Sequence, residues 1–287
     1  MTIKSVRDRL DWGAQMLLSA GIKSPRREAR LLLSQAMGRP VEWIFAHPEA
    51  DCTSDAPYEV YVARRKAREP MSYILGVREF RSLCFEVSPD VLDPRPDSEV
   101  LVEVALALIS ELERPIQVLD LGTGSGCLLL SILSECKAAF GIGTDISEAG
   151  LLVASRNARR LGLTDRARFV RADWGDGIKG RFDLVLSNPP YIPASEIGDL
   201  EPEISCHEPR LALDGGFDGL EAYRALAKQA LWWVTSKTVL IIELGEGQAG
   251  SVREIFAQGG FTHSRLEYDL AGKCRCLIVS ATADTLV

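Results

Sequence analysis

A strand runs into a glycine loop in Val118-Leu119-Asp120-Leu121-Gly122-Thr123-Gly124-Ser125-Gly126. The first four residues are typical of the end of a buried strand, and the next segment, Cys127–Cys136, is typical of a helix. Glycine lets a backbone approach a ligand closely, and a helix start offers unpaired N–H groups. The segment therefore predicts a ligand-binding strand–loop–helix unit.

The spacing of these glycines narrows the class of ligand. It is GxGxG rather than the GxGxxG of dinucleotide-binding folds, and the loop lacks the Lys-Ser/Thr pair of a P-loop. The sequence therefore argues against a redox dinucleotide or a nucleoside triphosphate.

Acidic residues occur at the ends of the next two predicted strands. Asp145 is the last residue of the predicted strand Phe140–Asp145, where a carboxylate can accept hydrogen bonds from both ribose hydroxyls. The alternative is that Asp145 caps the following helix, although Ser147 can also do that. Asp173-Trp174 follows Ala167–Ala172 and offers an acceptor and an aromatic plane for adenine. A tryptophan at a strand end packs as often as it binds, so this assignment depends on the other residues.

Asn188-Pro189-Pro190-Tyr191 follows the apolar strand Phe182–Ser187. Two prolines fix the backbone and remove N–H donors, so the Asn188 side-chain carbonyl and the Pro189 backbone carbonyl can converge on an NH2 group. Tyr191 adds a plane on which a carboxamide or a nucleobase can stack. An ordinary turn is the alternative. Because a cofactor-type loop lies in the same predicted sheet, we interpret the segment as a site for a planar primary amine or amide.

Strands and helices alternate from Ile116 onward, which predicts an α/β fold: a mostly parallel sheet with helices on both faces. The predicted strands are Ile116–Leu121, Phe140–Asp145, Ala167–Ala172, Phe182–Ser187, Thr238–Leu244, Phe261–Tyr268 and Cys274–Ala281. The predicted helices are Glu99–Glu111, Cys127–Cys136, Glu148–Leu161, Leu220–Val234 and Gln248–Gln258.

Residues 1–76 predict a small helical domain, and residues 77–98 a hairpin and a stiff linker before the domain at 99–287. The predicted helices begin near Val6, Ser24-Pro25, Val41 and Pro57, and the hairpin consists of Glu79–Ser82 and Cys84–Val87. The basic cluster Arg64–Arg68 is interpreted as a solvated face, with a docking surface as the alternative.

Composition sets the broad class. The chain has 287 residues, 46% of them hydrophobic, and a formal net charge of −7, which argues against general binding to nucleic acid backbones. Seven scattered cysteines lack paired CxxC spacing, so we expect reduced thiols and no metal site. Without a signal-peptide core or a membrane-length apolar stretch, we expect a soluble, cytoplasmic protein.

The order of features at four strand ends resembles that of class I methyltransferases that use S-adenosylmethionine, and Asn-Pro-Pro-Tyr marks the branch that methylates planar NH2 nitrogens. Further blocks resemble the release factor glutamine methyltransferases of the HemK/PrmC family. These blocks are Pro70–Gly76 with Glu79-Phe80, Pro94–Glu99, Asn188–Ile192, Glu208–Leu213 with Gly215-Gly216 and Asp218–Leu220, and Glu243–Gly245 with Gln248. The resemblance covers nearly the whole chain; Asp93 stands where the family is usually apolar, and Ser98 where it usually has threonine.

The resemblance implies a Rossmann-like sheet with an N-terminal helical domain that recognises the substrate. The glycine loop, comprising Gly122, Thr123, Gly124, Ser125 and Gly126, would hold the methionine part of S-adenosylmethionine. Asp145 would bind the ribose, and Asp173 and Trp174 the adenine. Asn188, Pro189 and Tyr191 would be catalytic, Pro190 would join them in binding the substrate, and Asn188 would also touch the cofactor.

The implied reaction methylates the glutamine of the Gly-Gly-Gln loop in class 1 peptide chain release factors, giving N5-methylglutamine, and we expect a monomer. A nucleic acid N6-adenine methyltransferase and a non-enzymatic cofactor-binding module are the alternatives. Arg95 in the linker either helps to grip the release factor or is an ion-paired linker residue. Glu208 and Arg210 either shape the substrate rim or form a surface ion pair.

Overall fold

The structure, a computed structural model, describes residues 4–52, 55–110, 112 and 114–282. These residues form two compact units. Unit 1 contains the described residues up to Gly76 together with Glu201–His207, and unit 2 contains Val77–Leu200 and the described residues from Glu208 onward. No local sequence pattern indicates that Glu201–His207 folds with the amino-terminal helices.

Unit 1 is helical. Its helices are α1 (Val6–Ser19), α2 (Pro25–Met37), α3 (Val41–Ala46), α4 (Asp55–Lys66), α5 (Met71–Leu75) and, from later in the chain, α9 (Pro202–Ser205), and its strands β1 (Lys4–Ser5) and β2 (Asp51–Cys52) pair antiparallel. The predicted start of α2 is confirmed, with Pro25 in its first turn and Gly38 ending it at φ 61°. Leu17, Leu32 and Leu33 are fully buried in the core of this unit.

The basic cluster Arg64–Arg68, at the end of α4, is largely ion-paired, so its interpretation as a solvated face is wrong for Arg65. The side chain of Arg65 is buried, and its guanidinium lies 2.6 Å from Glu28 and 2.9 Å from Glu203. Arg68 also pairs with Glu203, at 2.6 Å. Burial alone would raise the pKa of Glu203, but hydrogen bonds from its own backbone, Arg65 and Arg68 bring it below its usual range. Glu203 is far away in sequence, so no local pattern reveals the pairing.

Unit 2 is built on one seven-stranded sheet. Its strands are β5 (Ile116–Leu121), β6 (Ala139–Asp145), β7 (Ala167–Arg171), β8 (Leu184–Ser187), β9 (Val239–Glu243), β10 (His263–Tyr268) and β11 (Cys274–Ser280). They lie in the order β10-β11-β9-β8-β5-β6-β7. The five strands from β9 to β7 are parallel, and β11 and β10 extend the sheet antiparallel.

Helices cover both faces of this sheet, as predicted. They are α6 (Glu99–Ile109), α7 (Cys127–Glu135), α8 (Glu148–Arg160), α10 (Glu221–Ala230) and α11 (Ala249–Gln258). Val118 packs in the apolar cluster that contains residues of α6, α7 and α8, whereas its neighbour Leu119 packs in the cluster of α10 and α11. This alternation buries each central strand on both sides.

The hairpin differs from its prediction at the turn. Strands β3 (Val77–Phe80) and β4 (Leu83–Glu86) pair antiparallel, so Arg81 and Ser82 form the turn and are not strand residues. Both have positive φ, 47° and 58°, a conformation that glycine and asparagine usually supply. The Arg81 side chain pairs with Glu103 and Glu135, which holds the turn in place although its sequence gives no turn signal.

Most other boundaries agree within one or two residues. Helix α10 ends at Ala230, before the predicted end at Val234, and the predicted helix end at Glu111 lies outside the described residues. Among the described residues, no helix is both long and apolar enough to cross a bilayer, and no group of three or more His, Cys, Asp or Glu side chains could hold a metal ion. The seven cysteines are free thiols.

Replacing Arg65 with alanine should lower the free energy of unfolding by about 3 kcal/mol, because Glu28 would lose its ion pair in a poorly hydrated place and Glu203 would keep only its pair with Arg68. Urea unfolding followed by circular dichroism would measure this. Arg26→Ala is the matched control: its pair with Asp11 is more than half exposed, so it should cost no more than about 1 kcal/mol. Equal unfolding midpoints for the two variants would contradict the buried pair.

Candidate active site

The register of the parallel strands brings four strand-end positions into one row. Leu121 pairs with Thr144 of β6 and with Ser187 of β8, and Ser187 pairs with Ile242 of β9. The next residue on each strand lies at the carboxyl edge of the sheet, where open α/β sheets bind ligands. We call these residues, Asp145, Gly122, Asn188 and Glu243, the end row.

A cavity of about 430 Å³ lies along this edge. The predicted site residues in its wall are Gly122, Thr123, Gly124, Ser125, Asp145, Asp173, Trp174, Asn188 and Pro190. Gly126, Pro189 and Tyr191 are not among its lining residues. The structure thus brings most of the predicted residues together around one space.

The glycine loop owes its shape to backbone angles that favour glycine. Gly122, Gly124 and Gly126 have φ values of 72°, 52° and 81°. Gly126 is the N-cap residue of α7, and a Cβ there would come within 3.1 Å of Leu130 and 3.3 Å of Ala154. Gly126 therefore allows α7 to pack closely, whereas Gly122 and Gly124 form the cavity wall.

Asp145 organises the loop. Its carboxylate accepts hydrogen bonds from the backbone N–H groups of Gly124 and Ser147, both at 2.9 Å. The cap of α8 is Ser147, whose hydroxyl accepts from the N–H of Gly150, so the interpretation of Asp145 as that cap is wrong. Asp145 is only half-buried and lines the cavity, so its carboxylate contacts both the glycine loop and the space where a ligand would lie.

Trp174 both packs and lines the cavity. It has a positive φ of 54°, and its side chain joins the apolar cluster beneath α10 and α11. A Cβ built on Gly122 would lie 3.6 Å from the indole, so the ring borders the glycine loop. The neighbouring Asp173 is exposed and also lines the cavity.

Asn188 and Tyr191 are held by different partners. The Asn188 side-chain N–H2 donates to the Ser98 hydroxyl at 3.1 Å. The Tyr191 hydroxyl donates to the Glu243 carboxylate at 3.4 Å, and the Tyr191 backbone carbonyl accepts from Gln248 at 2.9 Å. The hydroxyl end of Tyr191 is therefore anchored away from the cavity, and a stacking role for its ring stays a prediction.

Close glycine contacts hold the backbone at Tyr191. A Cβ on Gly215 would lie 2.8 Å from the Tyr191 Cα, and one on Gly219 would lie 2.5 Å from the Tyr191 carbonyl oxygen. A Cβ on Gly245 would come within 3.0 Å of the tyrosine ring. Because backbone atoms are the nearest neighbours of Gly215 and Gly219, these two positions leave no room for a larger side chain.

Two buried acids lie beneath the site. Burial raises the pKa of Glu243 to about 7, and the charge of Asp97 adds to the rise. The hydrogen bond from Tyr191 and the charge of Arg275 lower it. Burial also raises the pKa of Asp120 to about 7, although the Thr123 hydroxyl donates to its carboxylate at 2.6 Å. Acids that ionise near neutrality are concentrated at functional sites in proteins.

The linker is held by ion pairs. Arg95 pairs with the buried Glu208, and its guanidinium lies 3.9 Å from Asp93, in agreement with the ion-paired interpretation of Arg95. Glu208 and Arg210 do not pair with each other, since Arg210 pairs with Asp214 at 3.0 Å, and the surface-pair interpretation is therefore wrong. Arg95 also lines the cavity.

Sequence reasoning missed the residues that support the site. Asn157 is fully buried in α8, and its side-chain N–H2 donates to the carbonyls of Ser125 and Glu86 at 2.9 and 3.0 Å. The signal for it was a polar residue on the apolar face of a helix. Ser98 and Glu243 were noted only as parts of family blocks, because their partners are distant in sequence.

Two family models match the chain: the PrmC N-terminal domain over residues 8–76 and the methyltransferase small domain over residues 98–201. Together with the sheet order and the glycine loop, these matches define a class I methyltransferase. The chain is 44% identical over 276 residues to the release factor glutamine methyltransferase of Rhodospirillum rubrum. The aligned segment covers 96% of this chain and 84% of that protein. It belongs to the release factor glutamine methyltransferase family.

A second relative supports this assignment, and a solved structure shares the fold. The release factor glutamine methyltransferase of Caulobacter vibrioides is 42% identical over 91% of each chain. The crystal structure of a methyltransferase from Pyrococcus furiosus, 17% identical, superposes with a TM-score of 0.51 over 78% of this chain and 97% of that one. At that identity, the superposition speaks for the fold alone.

Replacing Asp145 with asparagine should weaken S-adenosylmethionine binding by about tenfold or more, because an amide cannot accept from both Gly124 and Ser147 and still face the ligand as an acceptor. Isothermal titration calorimetry would measure the affinity. Asp176→Asn, an exposed change just beyond the cavity loop, should leave it unaltered. Asp145→Asn protein that binds as tightly as the parent would show that Asp145 has no part in the cofactor site.

Proposed function

We propose that this protein transfers a methyl group from S-adenosylmethionine to the side-chain amide nitrogen of the glutamine in the Gly-Gly-Gln motif of peptide chain release factors. The observation that carries the proposal is the position of Asn188 in the end row, beside the glycine loop and in the wall of one cavity. The identity of 44% to a release factor glutamine methyltransferase supports the choice of substrate.

The cavity suits a cofactor made of a nucleoside and an amino acid. The carboxylates of Asp145 and Asp173 can accept from hydroxyl and amino groups, the Trp174 indole offers a plane, and Gly122 and Gly124 allow close approach of the loop. Asp145 would hold the ribose, Asp173 and Trp174 the adenine, and Gly122 to Gly126 the methionine part. S-adenosylmethionine, when bound, supplies an electrophilic methyl group on a sulfonium sulfur.

Asn188 and Pro189 would orient the substrate amide. The Asn188 side-chain N–H2 donates to the Ser98 hydroxyl, so the side-chain carbonyl oxygen of Asn188 is the atom that can accept from the glutamine NH2. The Pro189 carbonyl would accept the second hydrogen, and Pro190 would form the neighbouring wall. Tyr191, anchored through its hydroxyl, would keep this segment in place and pack on the amide plane.

The chemistry needs alignment more than a strong base. The amide nitrogen is a weak nucleophile because its lone pair is delocalised into the carbonyl, and two acceptors that hold its hydrogens favour the pyramidal nitrogen that can attack. Alignment of reacting groups supplies roughly 7 to 11 kcal/mol at its extreme. Fixed acceptors also stabilise the positive charge that develops on the nitrogen, which then loses its proton easily.

The finer points belong to the same proposal. Unit 1 would recognise the release factor, in accord with the PrmC N-terminal domain that it matches. We propose class 1 release factors as substrates, a monomeric enzyme and a cytoplasmic location. The formal charge of −7 supports a protein substrate over nucleic acid, which basic surfaces usually bind.

The test is mass spectrometry of a purified release factor after incubation with this protein and S-adenosylmethionine. We expect one methyl group on the loop glutamine, and none on a release factor in which that glutamine is replaced. Transfer to adenine in nucleic acid, with no methyl on the release factor, would favour the N6-adenine alternative.

Asn188→Ala should lower the turnover rate by about 100-fold or more, because it removes a fixed acceptor at the reacting nitrogen. Cofactor affinity should change by less than about tenfold, since the glycine loop and Asp145 remain. Ser195→Ala, an exposed change in the same loop, is the control and should be as active as the parent. Full activity of Asn188→Ala would refute the mechanism.

A further inference from the structure

The cavity of the candidate active site has one cationic side chain in its wall. Among the described residues that line it, Arg95 is the only arginine, lysine or histidine. The lining residues with carboxylates are Asp90, Asp145, Asp173, Asp214 and Glu221. An arginine in an otherwise acidic cavity marks the place for an anionic group of the ligand, because cationic groups gain more from the carboxylates.

The charges of S-adenosylmethionine match this distribution. Its sulfonium and ammonium groups are positive, its adenosine part is neutral, and the α-carboxylate is its single anionic group. The carboxylates of the cavity suit the positive groups, whereas a carboxylate is held best by donors that carry positive charge. Arg95 is the side chain in the cavity wall that can supply such donors.

Arg95 is held in place by a buried acid. Its guanidinium donates a hydrogen bond to Glu208, whose side chain is only 1% exposed. The second carboxylate oxygen of Glu208 is also buried, and within the described part of the chain it accepts no hydrogen bond. A carboxylate in such a place costs stability unless a fixed cation compensates for it, so Glu208 restrains the guanidinium more strongly than a surface acid would.

The guanidinium keeps donors for a ligand. An arginine has five N–H donors in a planar fork, and the hydrogen bond to Glu208 is the one that Arg95 makes among the described residues. Asp93 lies 3.9 Å from a guanidinium nitrogen, which is too far for a hydrogen bond. Because the Arg95 side chain is 31% exposed and lines the cavity, its remaining N–H groups can reach a carboxylate there.

The linker brings Arg95 to the amino acid end of the cavity. Along the edge of the sheet, Asn188, Gly122 and Asp145 follow one another at the ends of β8, β5 and β6, and β7 lies beyond β6. The nucleoside groups belong at β6 and β7. Ser98, three residues after Arg95, accepts the hydrogen bond from Asn188 at 3.1 Å, so this part of the linker lies at the opposite end of the row.

We propose that Arg95 binds the α-carboxylate of S-adenosylmethionine, and that Glu208 is the positioning residue that holds its guanidinium in the cavity wall. Arg95 thereby selects a cofactor with an intact amino acid part, since a ligand without the carboxylate leaves these donors unused. The inference rests on the cofactor half of the proposed function and is independent of the methyl acceptor.

Two ligands that differ by the carboxylate alone test the assignment. Isothermal titration calorimetry of the full chain with S-adenosylmethionine and with decarboxylated S-adenosylmethionine gives a Kd for each. The parent protein should bind the decarboxylated ligand more weakly by about tenfold or more, because a charge-assisted contact is lost. Arg95→Gln should lower the ratio of the two Kd values to within about threefold of one.

The double variant Arg95→Gln/Glu208→Gln separates the contact from the net charge. It removes the pair without changing the net charge of the protein, and it leaves no uncompensated acid at the position of Glu208. It should therefore keep a Tm close to that of the parent even where Arg95→Gln unfolds. Its ratio of the two Kd values should also lie within about threefold of one.

Arg78→Gln is the matched control. Arg78 lies 3.6 Å from the same Asp93 and donates to the Pro94 carbonyl at 3.0 Å, but it is not among the residues that line the cavity. Its replacement removes as much positive charge from the linker region as Arg95→Gln does. The ratio of the two Kd values should nevertheless stay within about threefold of the parent ratio.

Parent protein that binds both ligands equally, or a double variant that keeps the parent ratio, would overturn the role of Arg95. An Arg78→Gln ratio as low as that of the double variant would overturn it as well, because charge or linker geometry would then explain the preference. These measurements need no release factor, so an unmethylated loop glutamine would refute the proposed substrate alone. Protein that binds neither ligand would refute the cofactor site and the inference together.

Discussion

The register of four parallel strands is the constraint from which the site follows. Because Leu121 is level with Thr144 and Ser187, and Ser187 with Ile242, the next residue on each strand emerges at the same edge. A shift of one residue in any pair would turn that strand's side chains to the opposite face and remove its member from the row. The buried apolar residues on both faces of β5 oppose such a shift, so core packing and site geometry are one requirement.

Much of this arrangement could be predicted from the sequence, because its signals are local. Gly122 to Gly126, Asp145 and Asn188 each follow an apolar run directly, and parallel strands must end at a common edge. The residues that hold them could not be predicted in this way. Ser98 reaches Asn188 across ninety positions of sequence, and Arg65 reaches Glu203 across a still longer interval. Pairings over such distances are decided by the fold as a whole, and a single sequence contains no period or spacing that reveals them.

The difference between local signals and distant partners also explains why the turn at Arg81 and Ser82 was not predicted. Positive φ at two non-glycine residues is costly, and a rule based on glycine and asparagine misses it. The ion pairs of Arg81 with Glu103 and Glu135 compensate for the backbone strain from outside the hairpin. Local rules fail here, as at Arg65, where a distant charge determines the local structure.

The two buried acids show that the site was not shaped for stability alone. Burial raises the pKa values of both Asp120 and Glu243 to about 7. The free energy of unfolding therefore falls as the pH rises from the pKa that each acid has in the unfolded chain toward neutrality. Apolar side chains at these positions would avoid that loss but could not accept a hydrogen bond. At Asp120 the carboxylate accepts from the Thr123 hydroxyl of the glycine loop, and at Glu243 it accepts from the Tyr191 hydroxyl. The two carboxylates thus serve as fixed acceptors for the glycine loop and for the Asn-Pro-Pro-Tyr segment. The fold tolerates them because the apolar clusters on either side of the sheet supply the stability that they remove.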